Sequence, residues 1–470
     1  MKKIAYSLVA AMIAFALSSC DLTEVNIDPT SPNGDQVSLN LVLPAALSQA
    51  AYNQSALTAR LSGILMQQFE GFDAQQNQYT IYVIGEADLN NYWNTGLYAG
   101  VLKDCDVMIQ KAQALNLPHY EAIAKILMAD AFATGASFFG EIPYSEALKG
   151  NENLRPAYDT QEAVYTAAQG LLDQAIELLA QPAGTGDVDV AGGDIVYGGD
   201  PAAWTAVAKS LKARYFMHLS RRDPQAATKA LGVLSGAIGS LDEQPNFAWE
   251  SALTSANPLY LFGFQRPNTL VIADQFETLM NDRNDPRKSK YMVDNNGWKY
   301  FQSGNADLVW AQSTSAVPLI SYVEVKFLEA EALHRTGAAG VQAALTDAVT
   351  ASMEQVGLNP ADSAVAAYIA ARCDLSALSG NQVLERIMEE AYSAYYGYAF
   401  QQIWTNYRRT GYPALTPNAS GANGLNPSGV IPRRFIYPID EKSTNRANVE
   451  AAIGRQGPDL LDTETWAFKP

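Results

Sequence analysis

Residues 320–353 read ISYVEVKFLEAEALHRTGAAGVQAALTDAVTASM, and this stretch decides the fold. Ile320, Val323, Phe327 and Ala330 recur at the spacing that puts side chains on one face of a helix. Thr336-Gly337 then stops that helix, glycine being the residue that most easily takes the left-handed turn at a helix end. Val341, Leu345, Ala348 and Met353 bring a second apolar stripe straight back. A helical hairpin of about 34 residues is too thin to bury its own core and must stack on others. The expected fold is therefore mostly α, built from tetratricopeptide-like helical hairpins.

The same signals repeat towards the N-terminus. Asp200-Pro201 opens a helix striped by Trp204, Val207, Ala208, Leu211, Tyr215 and Leu219. Asp223-Pro224 opens the next, with Ala227, Leu231, Leu234 and Ile238, and the short Arg221-Arg222-Asp223 link requires the two to lie nearly antiparallel. Asp159-Thr160-Gln161-Glu162 resembles a capping box and precedes Val164, Ala168, Leu171, Ala175 and Leu179. Further helices are expected over 120–138, over 88–112 and from Leu41 to Met66, and C-terminally one from Gln382. Ile195-Val196-Tyr197 reads as a short strand in a Gly/Asp-rich excursion, and 241–317 and 413–470 read as loop. The repeats are thus expected within about 115–240 and 318–410, the loop-rich layer at about 241–317 and 413–470, all in one domain, 41–470.

The first residues are of another kind. Lys2 and Lys3 precede an apolar run too short to span a bilayer, which ends in Leu17-Ser18-Ser19-Cys20. This resembles a bacterial lipobox, which makes 1–19 a signal peptide and Cys20 the acylated first residue of the mature chain. Residues 21–40 (DLTEVNIDPTSPNGDQVSLN) then form an extended, flexible leader. No later segment is expected to approach the length and apolarity of a membrane span. Lys+Arg 32 against Asp+Glu 49 gives −17, an acidic balance that argues against nucleic acid and leaves the acyl anchor as the link to the membrane.

Catalytic signatures are missing: there is no HExxH, P-loop or GxSxG. Carboxylate pairs such as Glu389-Glu390 and Glu329/Glu331 fall on helix stripes, where ion pairing explains them. No metal or other cofactor is expected; calcium at Asp187, Asp189, Asp194 and Asp200 is the alternative, although their order lacks the calcium-loop pattern. Cys105 and Cys373 are far apart, and both a disulfide and two buried thiols stay open. What remains is binding. Aromatics in helix stripes are core, whereas those in Gly/Asn/Gln-rich loops are available to sugar rings or peptide side chains, with amides and Arg to meet hydroxyls or carbonyls. The ligand candidates are Phe72, Gln75, Tyr79, Tyr82, Phe264, Arg266, Trp298 and Tyr300.

Several runs then fall into one order. Gly140-Glu141-Ile142-Pro143-Tyr144 with Glu146-Ala147, the helix from Tyr322 to Ala332, and Asn284-Asp285-Pro286-Arg287 resemble motifs of SusD/RagB lipoproteins. Arg386-Ile387-Met388-Glu389-Glu390, Trp404, Tyr407-Arg408-Arg409-Thr410-Gly411 and Pro432-Arg433-Arg434-Phe435-Ile436-Tyr437-Pro438 are similar to that family's C-terminal signature. The resemblance implies a surface-exposed outer-membrane lipoprotein that captures oligosaccharide, or peptide in RagB-like members. It also implies delivery to a SusC-like TonB-dependent transporter without catalysis. The family motifs themselves are expected to be structural, with Arg408 and Arg409 meeting carboxylates or helix-end carbonyls. A surface glycan hydrolase and a repeat scaffold for a protein partner are the competing readings.

Overall fold

The 322–336 helix starts where Ser321 caps it, its side chain accepting from Glu324 N, and ends at Gly337 with φ 69°. In the computed structural model, which describes residues 37–184, 190–293 and 303–469, it packs against its return helix Val341–Gln355. The chain divides into two units, Met1–Ser38 and Leu39–Pro470, and the second carries all that follows. Cys20, Asp187, Asp189, Trp298 and Tyr300 lie outside the described residues.

The stack runs through Lys103–Leu115, Pro118–Phe139, Gln161–Leu179, Pro201–His218 and Ala226–Leu234, each packed on the next. Its entry points are those the caps predict. Thr160 accepts from Ala163 N, and Asp200 accepts from Ala202 N and Ala203 N ahead of Pro201. The chain then leaves for residues 235–321 and returns, and Tyr322–Thr336 docks on Ala226–Leu234 as if nothing intervened. Ala213, Met217, Ala227, Ala230, Leu328 and Ala332 form the seam, where small side chains let the helices approach closely. Pro118–Phe139 is long and apolar enough by composition to cross a membrane, contrary to the expectation for the body, and 89% of its apolar window is buried within the stack. That burial explains a helix apolar on every side.

Other expectations need correction. The 241–317 segment holds Pro258–Gln265, Asp274–Asp282 and Lys288–Tyr291, and the C-terminal segment holds Ile439–Thr444 and Arg446–Gln456. Ile195-Val196-Tyr197 is a turn, not a strand, because Asp194 gathers the N–H groups of Val196, Tyr197 and Gly199. Residues 92–102 coil as a wider π-type helix before Lys103–Leu115.

The motif residues are buried supports. Arg287, wholly enclosed, binds Asp285 at 2.6 Å and Glu390 at 3.0 Å, and Arg372 also holds Glu390. Arg409 pairs with Glu331, which Arg335 grips from the other side. Both arginines of the Arg408-Arg409 pair sit in the last turn of Phe400–Thr410, and Arg408 donates to the carbonyls of Ser137 and Arg433. Cys105 and Cys373 are separate buried thiols.

Candidate ligand-binding site

A short antiparallel pairing builds the site. Phe69–Gly71 pairs with Leu270–Ile272, which ties the N-terminal helices to the segment carrying Pro258–Gln265. Gly71 is required at this crossing: a Cβ there would come within 1.8 Å of the Gln76 carbonyl, because Ala74–Thr80 folds back over the strand. Asp73 caps that helix through Ala74 N, and Thr80 Oγ1 accepts from Gly71 N at 2.7 Å. Opposite, Asn257 accepts from Leu259 N and Tyr260 N and Pro258 takes the first helical position.

Between these walls lies an open cleft of about 890 Å³, within the size range of small-molecule sites. Helix Leu39–Ser55 contributes Gln49, Tyr52 and Asn53, and Leu57–Leu65 contributes Thr58 and Arg60. Gln75, Tyr79, Asp88 and Asn91 line a second side, and Leu261, Phe262, Gln265 and Arg266 a third.

Asp88 organises the second side. Its carboxylate accepts from Gln75 Nε2 at 2.5 Å, Tyr79 Oη at 2.9 Å and Gly85 N at 2.6 Å. Burial, and after it the Asp88 charge, pushes the Tyr79 phenol well above its ordinary range, so it stays a neutral donor. Cationic groups from the first and third sides meet on Phe262. The Arg60 guanidinium lies 4.0 Å from the centre of the Phe262 ring and that of Arg266 lies 5.8 Å from it, an attractive placement on the negative ring face. Arg60 Nε is shut off from solvent without a hydrogen-bond partner. Burial pulls the Arg60 pKa down to about 10; the Tyr52 and Tyr79 phenols oppose this and Arg266 adds to it.

Of the candidates read from the sequence, Gln75, Tyr79 and Arg266 come together on this cleft, Tyr79 as a buried wall residue, 2% exposed, whose hydroxyl is given to Asp88. Phe72 and Phe264 are each 52% exposed, and Phe264 stacks on Tyr260 at 5.7 Å. Tyr82 is enclosed instead: its ring is 2% exposed and its hydroxyl accepts from Asn418 N, so packing uses it. Trp298 and Tyr300 are outside the described residues. Sequence reasoning passed over Arg60, Asp88 and Phe262. Arg60 had a signal, being the single charge in the otherwise uncharged helix LTARLSGIL. Of the aspartates considered for calcium, Asp194 is bound by three backbone N–H groups and Trp204 Nε1, and Asp200 caps a helix. Their oxygens are therefore committed to N–H donors, which a cation would have to displace.

A stack of helical hairpins interrupted by segments that wall an open, aromatic- and amide-lined cleft defines a repeat-built binding protein. A family profile described as "Starch-binding associating with outer membrane" matches residues 33–438, and the chain belongs to this SusD-like family of the SusD/RagB group. Comparison with curated proteins finds no match. Among solved structures, a SusD/RagB family protein from Bacteroides thetaiotaomicron is similar at TM-score 0.75 and 23% identity, covering 92% of this chain and 99% of that one. A SusD homolog from Bacteroides fragilis is similar at TM-score 0.75 and 23% identity, covering 92% and 100%. A chitin-binding SusD homolog from Flavobacterium johnsoniae is similar at TM-score 0.74 and 21% identity, covering 91% and 98%. At these identities the likeness speaks for the fold.

Proposed function

We propose that this protein is a lipid-anchored outer-membrane protein that captures oligosaccharide in the 890 Å³ cleft and passes it to a SusC-like TonB-dependent transporter, without catalysis. The observation that carries this reading is the lining. Tyr52, half exposed, offers apolar ring surface, and Gln49, Asn91 and Gln265 offer the neutral donors and acceptors that sugar hydroxyls need. The chitin-binding relative supports a glycan as ligand, and the lipobox-like Leu17-Ser18-Ser19-Cys20 supports acylation and membrane tethering. Hydrolysis is disfavoured because glycosidases place two working carboxylates about 5–10 Å apart across the scissile bond. Asp88, the carboxylate on the cleft wall, is instead committed to three donors.

Calorimetric titration of the full chain in detergent tests this, against chitin, starch and other plant and algal oligosaccharides and mixed peptides, with product analysis of each mixture. The expected result is saturable binding of an oligosaccharide that is recovered intact. Binding of peptides alone would move the protein to a RagB-like role, and cleaved sugar would make it an enzyme. Delivery is tested separately, by asking whether a large barrel protein co-purifies from gently solubilised membranes; recovery of the protein alone would remove the transporter from the proposal.

A further inference from the structure

The cleft carries two arginines that have no ion-pair partner among the described residues. Elsewhere in this chain enclosed guanidinium groups are met from within. Arg214 has Glu324 at 2.6 Å and Asp130 at 3.1 Å, Arg287 has Asp285 and Glu390, and Arg409 has Glu331. Even Arg408, which lacks a carboxylate, gives its N–H groups to Ser137 and Arg433 carbonyls. Arg60 breaks this pattern. Its contact is the ring of Phe262; sealed guanidinium nitrogens without an acceptor also occur in Arg283 and Arg434, but those two have Glu389 and Asp459 as ion-pair partners, whereas among the described residues no carboxylate lies in ion-pair range of Arg60. Arg266 sits on the same ring, exposed to the cleft and likewise without an ion-pair partner among the described residues.

Two like charges on one ring repel, and a chain of net charge −17 has acidic side chains to spare for them. That neither arginine has a carboxylate partner argues that the counter-charge arrives with the ligand. A planar guanidinium presents paired N–H donors that match the two oxygens of a carboxylate or of a sulfate ester. Neutral hydroxyls could accept from either arginine, but would leave the charge uncompensated in a partly dehydrated site.

We infer that the ligand is an acidic oligosaccharide, and that a carboxylate or sulfate oxyanion on one of its sugar rings is held by Arg60 and Arg266 over Phe262. The inference rests on the oligosaccharide reading above and deepens it. It also reverses what net charge suggests: overall acidity slows the approach of anions at long range, while the cleft rewards them on contact.

The test is calorimetry of the full chain in detergent with matched pairs. Oligogalacturonates and alginate fragments are compared with their carboxyl-reduced forms, and carrageenan and chondroitin fragments with their desulfated forms. The acidic member of a bound pair is expected to bind about tenfold tighter or better, since hydrogen bonds to charged groups are the stronger kind. Carboxylate and sulfate are told apart by which pairs respond. Arg266→Gln should cost the acidic ligand about tenfold and the neutral partner less than about twofold. Arg60→Gln should do the same where thermal melting shows it folded; the exposed Arg266 keeps the test available if it is not. Equal binding within pairs, or neutral ligands bound alone, overturns the inference and leaves the oligosaccharide reading standing. Loss of affinity for both members of a pair in Arg266→Gln also overturns it. Binding of acidic peptides only, or of nothing on the panel, removes the oligosaccharide reading and the inference together.

Discussion

The arginines of the helical stack and those of the cleft are treated in opposite ways. In the stack, and at the turn before Lys288–Tyr291 that docks on it, each enclosed guanidinium is met by carboxylates or carbonyls contributed from distant parts of the chain: Arg214 by Glu324, Arg287 by Glu390, Arg409 by Glu331. In the cleft, Arg60 is partly buried, and its guanidinium meets an aromatic ring with no ion-pair partner among the described residues. The difference separates architecture from recognition. A buried charge used for structure must be satisfied before folding is complete, because an isolated one costs several kcal/mol. A charge used for binding keeps part of its capacity unspent.

The comparison predicts its largest effect among the buried supports. Arg287→Ala leaves Asp285, Glu390 and the Tyr368 hydroxyl crowded together, all of which now touch that guanidinium. The expected loss is about 3–5 kcal/mol of stability, read by urea denaturation. Ligand affinity of whatever fraction folds should be unchanged. A loss near zero would show that these pairs are dispensable and would remove the distinction between the two regions.

A second effect follows from protonation. Burial alone would raise the Glu331 carboxyl, but Arg409 and then Arg335 outweigh it and hold it below the usual carboxylate range; for Asp285, burial is outweighed in the same way by Arg287. A carboxyl depressed in the native state stabilises it fully above the unfolded value, roughly pH 4 for these groups, and the contribution is lost as the pH falls through the lower native value. The stability gap between the native chain and Glu331→Gln should therefore narrow as urea titrations move from neutral pH to below roughly pH 4. A gap independent of pH would mean Glu331 is not held as the anion.

These supports show how far the sequence could be read. Hairpins were legible because their ends carry local chemistry: Thr160, Asp200-Pro201 and Thr336-Gly337 all act as their identities imply. Pro258–Gln265 was not, since PLYLFGFQ is apolar up to its final Gln265 and shows no alternation of apolar and polar faces, although Asn257-Pro258 is as good a helix start as Asp200-Pro201. The site was legible in part. Gln75, Tyr79 and Arg266 were selected by residue type in loop-like context and do meet on one cleft. Tyr82 met the same criteria, yet the tail near Asn418 folds over it, a contact between residues far apart in sequence that no local pattern announces. Arg60 was hidden for the converse reason: its stripe neighbours explain the helix without it.

Within the cleft, Asp88 supplies the intermediate effect. Asp88→Ala strands the Tyr79 hydroxyl, the Gln75 amide and Gly85 N, and should cost about 1–3 kcal/mol of stability together with ligand affinity. Asp88→Asn keeps a carbonyl acceptor and should recover much of the stability. If it also recovers binding, Asp88 acts by positioning Tyr79 and Gln75; if binding stays lost, the charge itself touches ligand.

The smallest expected effect is the sharpest test of where recognition lies on Pro258–Gln265. Residues two apart on a helix point to nearly opposite sides, whereas residues four apart share one. Tyr260 and Phe264 accordingly stack on each other, their planes 13° apart, while Phe262 turns the other way to carry both arginines. Phe264→Ala should cost about 0.5–1 kcal/mol, the value of a half-exposed aromatic pair, and change affinity for an acidic oligosaccharide by less than about twofold. Phe262→Leu keeps apolar bulk but removes the aromatic ring against which Arg60 and Arg266 lie, so it should weaken acidic ligands selectively. If Phe264→Ala weakens binding more than Phe262→Leu does, the sugar is gripped on the Tyr260–Phe264 side, and the unpaired arginines are neighbours of the site rather than its centre.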